Sequence, residues 1–269
     1  MELIDIALKC SGWAWDNLRE ARNCEHQIGE ESLTDLILLR FKKHGQGKIA
    51  VQTFTRHQES VNGSDWEWWF TGPSGKWIGM RVQAKVINLE SKEYEHLHYK
   101  NNNGFQVDLL LQDAKTHQLV PLYCMYSNWD PKERKIVQFC KSYKASVRHY
   151  GASILSPRVV VNLRNNNQKH LDHIIDKLSP LHCIFCCTGY ADADLPHRAL
   201  RWLAGEKLIT TLVNGEIIRP DEPEFYLKDE PPYYVKQLLD NELNVEFIDI
   251  PDNRLKRVSV FEEISLEIT

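Results

Sequence analysis

The sequence predicts a mixed α/β fold, and three observations carry that reading. Residues 30–43 (EESLTDLILLRFKK) place Leu33, Leu36, Ile37 and Phe41 at the spacing of one helical face. Residues 63–85 (GSDWEWWFTGPSGKWIGMRVQAK) read as two strands joined through Gly-Pro-Ser-Gly. Residues 105–117 have helical character and run into an apolar strand, LVPLYCMY, at 119–126. Helix, hairpin, helix, strand in that order is the pattern of a sheet with helices laid against it. The chain has 269 residues, 42% apolar and 26% charged, which suffices for a core and excludes a disordered or fibrous chain.

Each element has a local reason. The helix at 30–43 opens on Glu30 and Glu31 and closes on Arg40, Lys42 and Lys43, the charge order that suits a helix dipole. Strands are expected at 65–70 and 77–87. Pro73 presets its own backbone angle and the flanking glycines accept positive ones, so the segment between them turns. Asn-Asn-Asn-Gly at 101–104 separates expected helices at 93–100 and 105–117. Further helices are expected near 131–146, 168–178, 194–204 and 231–241. The expected organisation is an α/β core over residues 1–165, with a mainly helical, acidic region over 166–269 packed on it.

Charge is unevenly distributed. The formal net charge of −4 argues against a protein that coats nucleic acid indiscriminately. Residues 71–180 nevertheless carry 16 basic and 9 acidic side chains, against 9 and 17 over 181–269. Residues 131–170 hold nine cations and one acid, Glu133. Lys132, Lys135, Lys141, Lys144 and Arg148, interleaved with Tyr143, His149 and Tyr150, suit a surface that follows a phosphate backbone; the plain alternative is a solvated face. The start, MELIDIALKC, lacks the basic and apolar regions of a signal peptide, and the longest uncharged runs are too short and polar to span a bilayer. Seven cysteines in a chain that needs no disulfides fit a reducing cytoplasm. Cys183, Cys186 and Cys187, with His182 as the one nearby supplement, read as buried thiols before they read as a zinc site, which needs about four ligands. His170 and His173, an i, i+3 pair without a third ligand nearby, read as solvated histidines.

The hairpin carries the chemistry. With the turn centred near Ser74, facing residues have numbers summing to about 148 by antiparallel pairing. Asp65 then lies opposite Gln83, Glu67 opposite Arg81, and Lys85 beside Gly63. Side chains alternate along a strand, so Asp65, Gln83 and Lys85 can share one face. Asp65, the Gln83 side-chain oxygen and the Ala84 carbonyl are hard donors suited to magnesium (or manganese). Such an ion polarises a phosphodiester, and Lys85 can orient the attacking water or stabilise developing charge. Glu31 is the candidate for a further acid, ahead of Glu30, Asp35, Glu59 and Glu67. The plain alternative is a cross-strand ion pair between Asp65 and Lys85 with Gln83 a neighbour. Trp66, Trp68, Trp69 and Trp77 read as hairpin packing rather than base-stacking platforms, Glu31 reads equally as a first-turn acid that complements the helix dipole, and Gln106 reads as the start of a helix.

These residues resemble the PD-(D/E)xK nuclease superfamily, in its Q-x-K variant: Asp65, then Gln83-Ala84-Lys85 across a hairpin, with an acidic helix before and helix-strand after. The chain departs from that pattern in lacking Pro before the first acid and in having Gln83 for the second. More narrowly, DWEWWF at 65–70, WIGMRVQAK at 77–85 and PLY at 121–123 are similar to a family of uncharacterised bacterial proteins reading Gly-Ala-Asp-Trp-Glu-Trp-Trp, over residues 28–190. The resemblance implies a restriction-endonuclease-like core with a central mixed β-sheet flanked by helices. It also implies magnesium-dependent cleavage of DNA, with RNA the other substrate, in bacterial defence, and a homodimer or a defence-system partner. The alternative is a nuclease fold that lost turnover and serves as a binding module.

Overall fold

The computed structural model describes residues 2–45, 49–53, 66–134, 143–144, 146–186, 193–219, 222–240 and 257–264. Helices α1 (Leu3–Asn23) and α2 (Glu30–His44) lead into β1 (Ile49–Thr53). The hairpin of β2 (Trp66–Thr71) and β3 (Trp77–Val86) comes next, followed by the short strands β4 (Lys100–Asn101) and β5 (Gly104–Phe105), then α3 (Gln106–His117) and β6 (Val120–Tyr126). A 3-10 turn at Val147–Gly151 precedes β7 (Ser153–Leu155), α4 (Pro157–Asn165) and β8 (Ser179–Pro180). The remaining described elements are α5 (Cys183–Cys186), α6 (Leu195–Gly205), β9 (Thr211–Val213), β10 (Glu216–Ile218), β11 (Leu227–Lys228), α7 (Tyr233–Asp240) and β12 (Arg257–Glu262). No described helix is long and apolar enough to cross a membrane.

The main sheet runs β1–β12–β2–β3–β6–β7–β8, with β11 paired to the start of β3. It is mixed: β12 with β2 and β3 with β6 are parallel, and its other pairs are antiparallel. This is the expected α/β architecture with a central mixed sheet flanked by helices. Beyond 165 the described residues hold α5, α6 and α7, and they also contribute β8, β11 and β12 to the main sheet, which the sequence reading did not include. RVSVFE at 257–262 is short, and its partner β2 is distant in sequence, so local periodicity alone does not reveal the pairing. The insertion of β12 also explains β2. A strand flanked by neighbours and covered on both faces is buried throughout, so WEWWFT shows no alternation.

Helix α1 has no counterpart among the elements read from sequence. Its buried positions include Ile6, Cys10, Ala14 and Leu18, spaced for one face but built largely from small side chains that dilute the pattern. Small residues serve a close approach: a Cβ on Gly151 would lie 2.0 Å from the Ser11 carbonyl oxygen. The expected helix at 93–100 is a series of turns, since Tyr94 N donates to the Lys169 carbonyl and Glu93 bridges to His170. The expected helix at 168–178 is two 3-10 turns, Leu171–His173 and Ile175–Lys177, and His170 accepts a bond from Asp172 N. Of the expected helix at 131–146, residues 131–133 form a turn and most of the rest lies outside the described residues.

The hairpin register matches the sequence reading: Trp66 faces Val82, Glu67 faces Arg81 and Thr71 faces Trp77. One face of it is aromatic. Trp66, Trp68 and Phe70 pack with Phe261 and Phe185, so the tryptophans of β2 are core residues as expected. The other face holds a buried charge network. Arg81, 1% exposed, spans the Glu67 carboxylate at 2.8 Å and the Asp113 carboxylate of α3 at 2.7 Å. Glu67, fully buried, also accepts from Trp69 Nε1 at 2.5 Å and from the Tyr234 hydroxyl of α7. Burial and the Glu67 charge push the Tyr234 hydroxyl far above its ordinary range, which keeps it a donor. Arg81→Ala would strand two carboxylates in the interior and is expected to cost about 3–5 kcal/mol in urea unfolding, whereas a loss under about 1 kcal/mol would show that the network is dispensable.

The turn is tied down as well. Gly75 takes a φ of 70°, its N–H donates to the Gly72 carbonyl, and Asp194 accepts from Ser74 N at 2.9 Å while pairing with His197 at 2.6 Å. Burial raises the Asp194 carboxyl, but these bonds outweigh it and hold the pKa below its ordinary 3.8. A carboxyl depressed on folding adds stability that is present above its unfolded pKa and is lost as pH falls through the folded one. Acid unfolding followed by circular dichroism should therefore show a loss below about pH 4 that Asp194→Asn flattens. An unchanged acid limb in the variant would count against it.

Candidate active site at the end of the central hairpin

Alternation along β3 sorts its side chains. Ile78, Met80, Val82 and Ala84 enter the large apolar core, while Arg81, Gln83 and Lys85 share the opposite face. Asp65, the acid expected opposite Gln83, lies outside the described residues, as does Glu59. The described part of β2 begins at Trp66, opposite Val82. Beyond that point β3 has β6 as its one strand neighbour among the described residues, and Lys85 meets the start of α2.

A cavity of about 420 Å³ opens there, lined by Gln27, Gly29, Glu30, Lys85, His96, Tyr99 and Gln106 among others. Lys85 is 4% exposed and pairs with Glu30 at 3.5 Å. An ammonium so removed from water needs a counter-charge, and Glu30 supplies one from the first turn of α2. Glu31, expected as the further acid, is exposed and does not line this cavity. Helix phase distinguishes the two. Leu33, Ile37 and Phe41 are buried, and position 30 continues that stripe backwards whereas position 31 does not. That signal is present in the sequence. Gln106, read there as a plain helix start, opens α3 and lines the cavity. Asp35, another acid weighed from sequence, instead pairs with Arg257 of β12.

Several bonds fix Glu30 over Lys85. Gln27 donates to the Ile87 carbonyl at 3.1 Å and accepts from Leu89 N at 3.1 Å, which ties the segment before α2 to the end of β3. Thr34 donates to the Glu30 carbonyl at 2.9 Å and lies 3.0 Å from the Tyr126 hydroxyl of β6. Burial pushes the Tyr126 hydroxyl well up, so it stays protonated and able to donate to Thr34. The Cys124 thiol, two residues earlier on β6, is pushed up to about 12 by burial and is chemically quiet.

Gln83 is 1% exposed, and its amide nitrogen lies 2.9 Å from the Ala84 carbonyl oxygen, to which it donates. Rotating the amide by half a turn brings Oε1 to that position. Adjacent oxygens of an octahedral magnesium shell stand about 2.9 Å apart, given metal–oxygen distances of 2.0–2.1 Å. Gln83 and the Ala84 carbonyl are thus oxygen donors whose type and spacing fit a hard divalent cation, and Glu30 is a donor of the same type beside Lys85.

The basic residues expected to follow a phosphate backbone are only partly gathered. Lys132 and Lys144 are exposed, and Lys135 and Lys141 lie outside the described residues. Arg148 is paired with Asp16 and Arg134 with Asp172. Arg148 lines a second cavity of about 430 Å³ together with Lys9, Arg40 and His149. Lys9 and Arg40 extend the basic surface to α1 and α2, a juxtaposition that distance in sequence conceals.

The model of a family of unknown function, DUF6615, matches residues 3–266, well beyond the 28–190 covered by the resemblance read from sequence. No curated protein and no solved structure matches the chain.

Proposed function

We propose that this chain, which belongs to the family of unknown function DUF6615, is a metal-dependent nuclease with a restriction-endonuclease-like core, acting on DNA in bacterial defence. The observation that carries this reading is the pair of buried Lys85 with Glu30 on the wall of a cavity, two residues along β3 from Gln83. Gln83, the Ala84 carbonyl and Glu30, together with Asp65, would hold magnesium or manganese. When bound, such an ion polarises the scissile phosphate and makes a coordinated water more acidic.

The chain's own residues do the rest. Lys85 directs its ammonium at the cavity, where it can hold the attacking water and stabilise charge on a non-bridging phosphate oxygen. Besides its place in the donor set, Glu30 orients the Lys85 ammonium through their pair. Gln106, His96 and Tyr99 offer hydrogen-bonding groups around the space a nucleotide would fill. Lys9, Arg40, Lys132, Lys144 and Arg148 supply cations for the flanking backbone. The alternative of a module that binds without cutting draws on one observation: Gln83 contributes no charge where a second acid would.

Plasmid DNA incubated with the full chain and magnesium or manganese tests this. Cleavage is expected, with Asp65→Ala and Lys85→Ala slowed by roughly 100-fold or more while circular dichroism stays unchanged. Glu30→Gln should slow cleavage by roughly tenfold with the fold intact, because Lys85 loses the carboxylate that orients its ammonium. Absence of cleavage of both DNA and RNA, with salt-sensitive binding retained, would establish the binding module instead. Full activity in Lys85→Ala would remove the site.

A further inference from the structure

A second group of ligands lies on α5 and the residue before it, and none of its members lines the cavity at Lys85. His182, Cys183 and Cys186 bring one nitrogen and two sulfurs within 4.8 Å of one another. Cys183 and Cys186 sit one helical turn apart on α5, and neither forms a disulfide with another described residue. His182 Nε2 lies 3.8 Å from Cys183 Sγ. A zinc tetrahedron with bonds of 2.0–2.3 Å has edges of about 3.4–3.8 Å, so this pair already stands at ligand spacing.

Cys187, grouped with these residues in the sequence, lies outside the described residues, and the fold brings a candidate fourth ligand from 33 positions upstream of His182. The ring of His149, on the 3-10 turn at Val147–Gly151, lies with its centroid 4.8 Å from that of His182 at 70°. His149 is partly exposed, so its ring has room to turn a nitrogen toward the thiols. His182 and Cys183 are buried and Cys186 is half-buried, which suits a structural site with limited access to water.

We propose that His182, Cys183 and Cys186, with His149 as the fourth ligand, form a zinc site that is separate in place and in chemistry from the hard-oxygen site at β3. Soft sulfur and imidazole donors select zinc over magnesium, whereas the donors around Gln83 and Glu30 select the reverse. Zinc here clips the 3-10 turn, which packs against α1, to the α5 segment, which packs against α1 and α6. The ion thereby closes a loop of the chain that no disulfide among the described residues closes.

The test is metal content and cobalt spectroscopy on the full chain. Protein purified without chelator and dialysed against metal-free buffer should retain about one zinc per chain, as a closed four-ligand site does. Cobalt added to the stripped protein should give tetrahedral ligand-field bands and a thiolate charge-transfer band that excess magnesium does not remove. Cys186→Ser, at a half-buried position, should lose most of the charge-transfer intensity. His149→Ala should bind zinc at least about tenfold more weakly, a loss typical of removing a metal-site group. A wild-type protein that holds no zinc and gives no tetrahedral cobalt spectrum overturns the site irrespective of how any variant folds. A Cys183–Cys186 disulfide in the native protein overturns it as well, in favour of redox chemistry. Unchanged affinity in His149→Ala overturns the assignment of the fourth ligand.

Discussion

Arg81 lies between two carboxylates in the interior, and the position of the candidate site depends on that contact. Taking three charges out of water is costly, and the arrangement is sustained only while each finds its partners. Glu67 meets Arg81 directly across the hairpin, Asp113 meets it from α3, and Trp69 and Tyr234 fill further positions on Glu67. A one-residue slip of β2 against β3 would place Glu67 on the aromatic face and leave Arg81 short of a charge. The network therefore selects one register. In that register Gln83 and Lys85 lie two and four residues beyond Arg81 on the same face, and Lys85 reaches the cavity. The same contact sets α3 against the sheet, which brings Gln106 to the cavity from the other side.

How much of this was legible in the sequence follows from the range of each interaction. The β2–β3 register is a local matter: Gly72-Pro73-Ser74-Gly75 fixes the turn, and the pairs are counted outward from it. Helix α2 has a strong apolar stripe and is legible for the same reason. The choice of Glu30 over Glu31 was available from helix phase but required knowing which stripe is buried. By contrast, β12 pairs with a strand nearly two hundred residues earlier, and no local pattern encodes that. α1 packs through Ser11, Gly12 and Ala14, where closeness rather than hydrophobicity does the holding. His149 and His182 meet because the 3-10 turn docks beside α5, a contact that spacing cannot supply.

Charge shows a similar divide. A total of −4 conceals a basic middle and an acidic end. In the fold, several of those cations are taken up by acids from other parts of the chain, as in Arg148 with Asp16, Arg134 with Asp172 and Arg164 with Asp108. Of these cations only Arg148 has a well-exposed side chain, and an exposed pair contributes little to stability and is readily exchanged for a phosphate contact. Two donor sets of opposite character then coexist in one chain: oxygen donors around Lys85, and sulfur and imidazole around Cys183. Their separation by chemical softness is what would let a catalytic and a structural ion be loaded independently.

The proposed nuclease chemistry rests on a hard cation bound at the end of β3, and anomalous diffraction from a manganese-soaked crystal addresses that directly. The expected result is an anomalous peak in the cavity, about 2.0–2.4 Å from the Gln83 side-chain oxygen and the Ala84 carbonyl, with Lys85 facing it. A map without a peak there, from crystals whose manganese concentration saturates binding in solution, would contradict it.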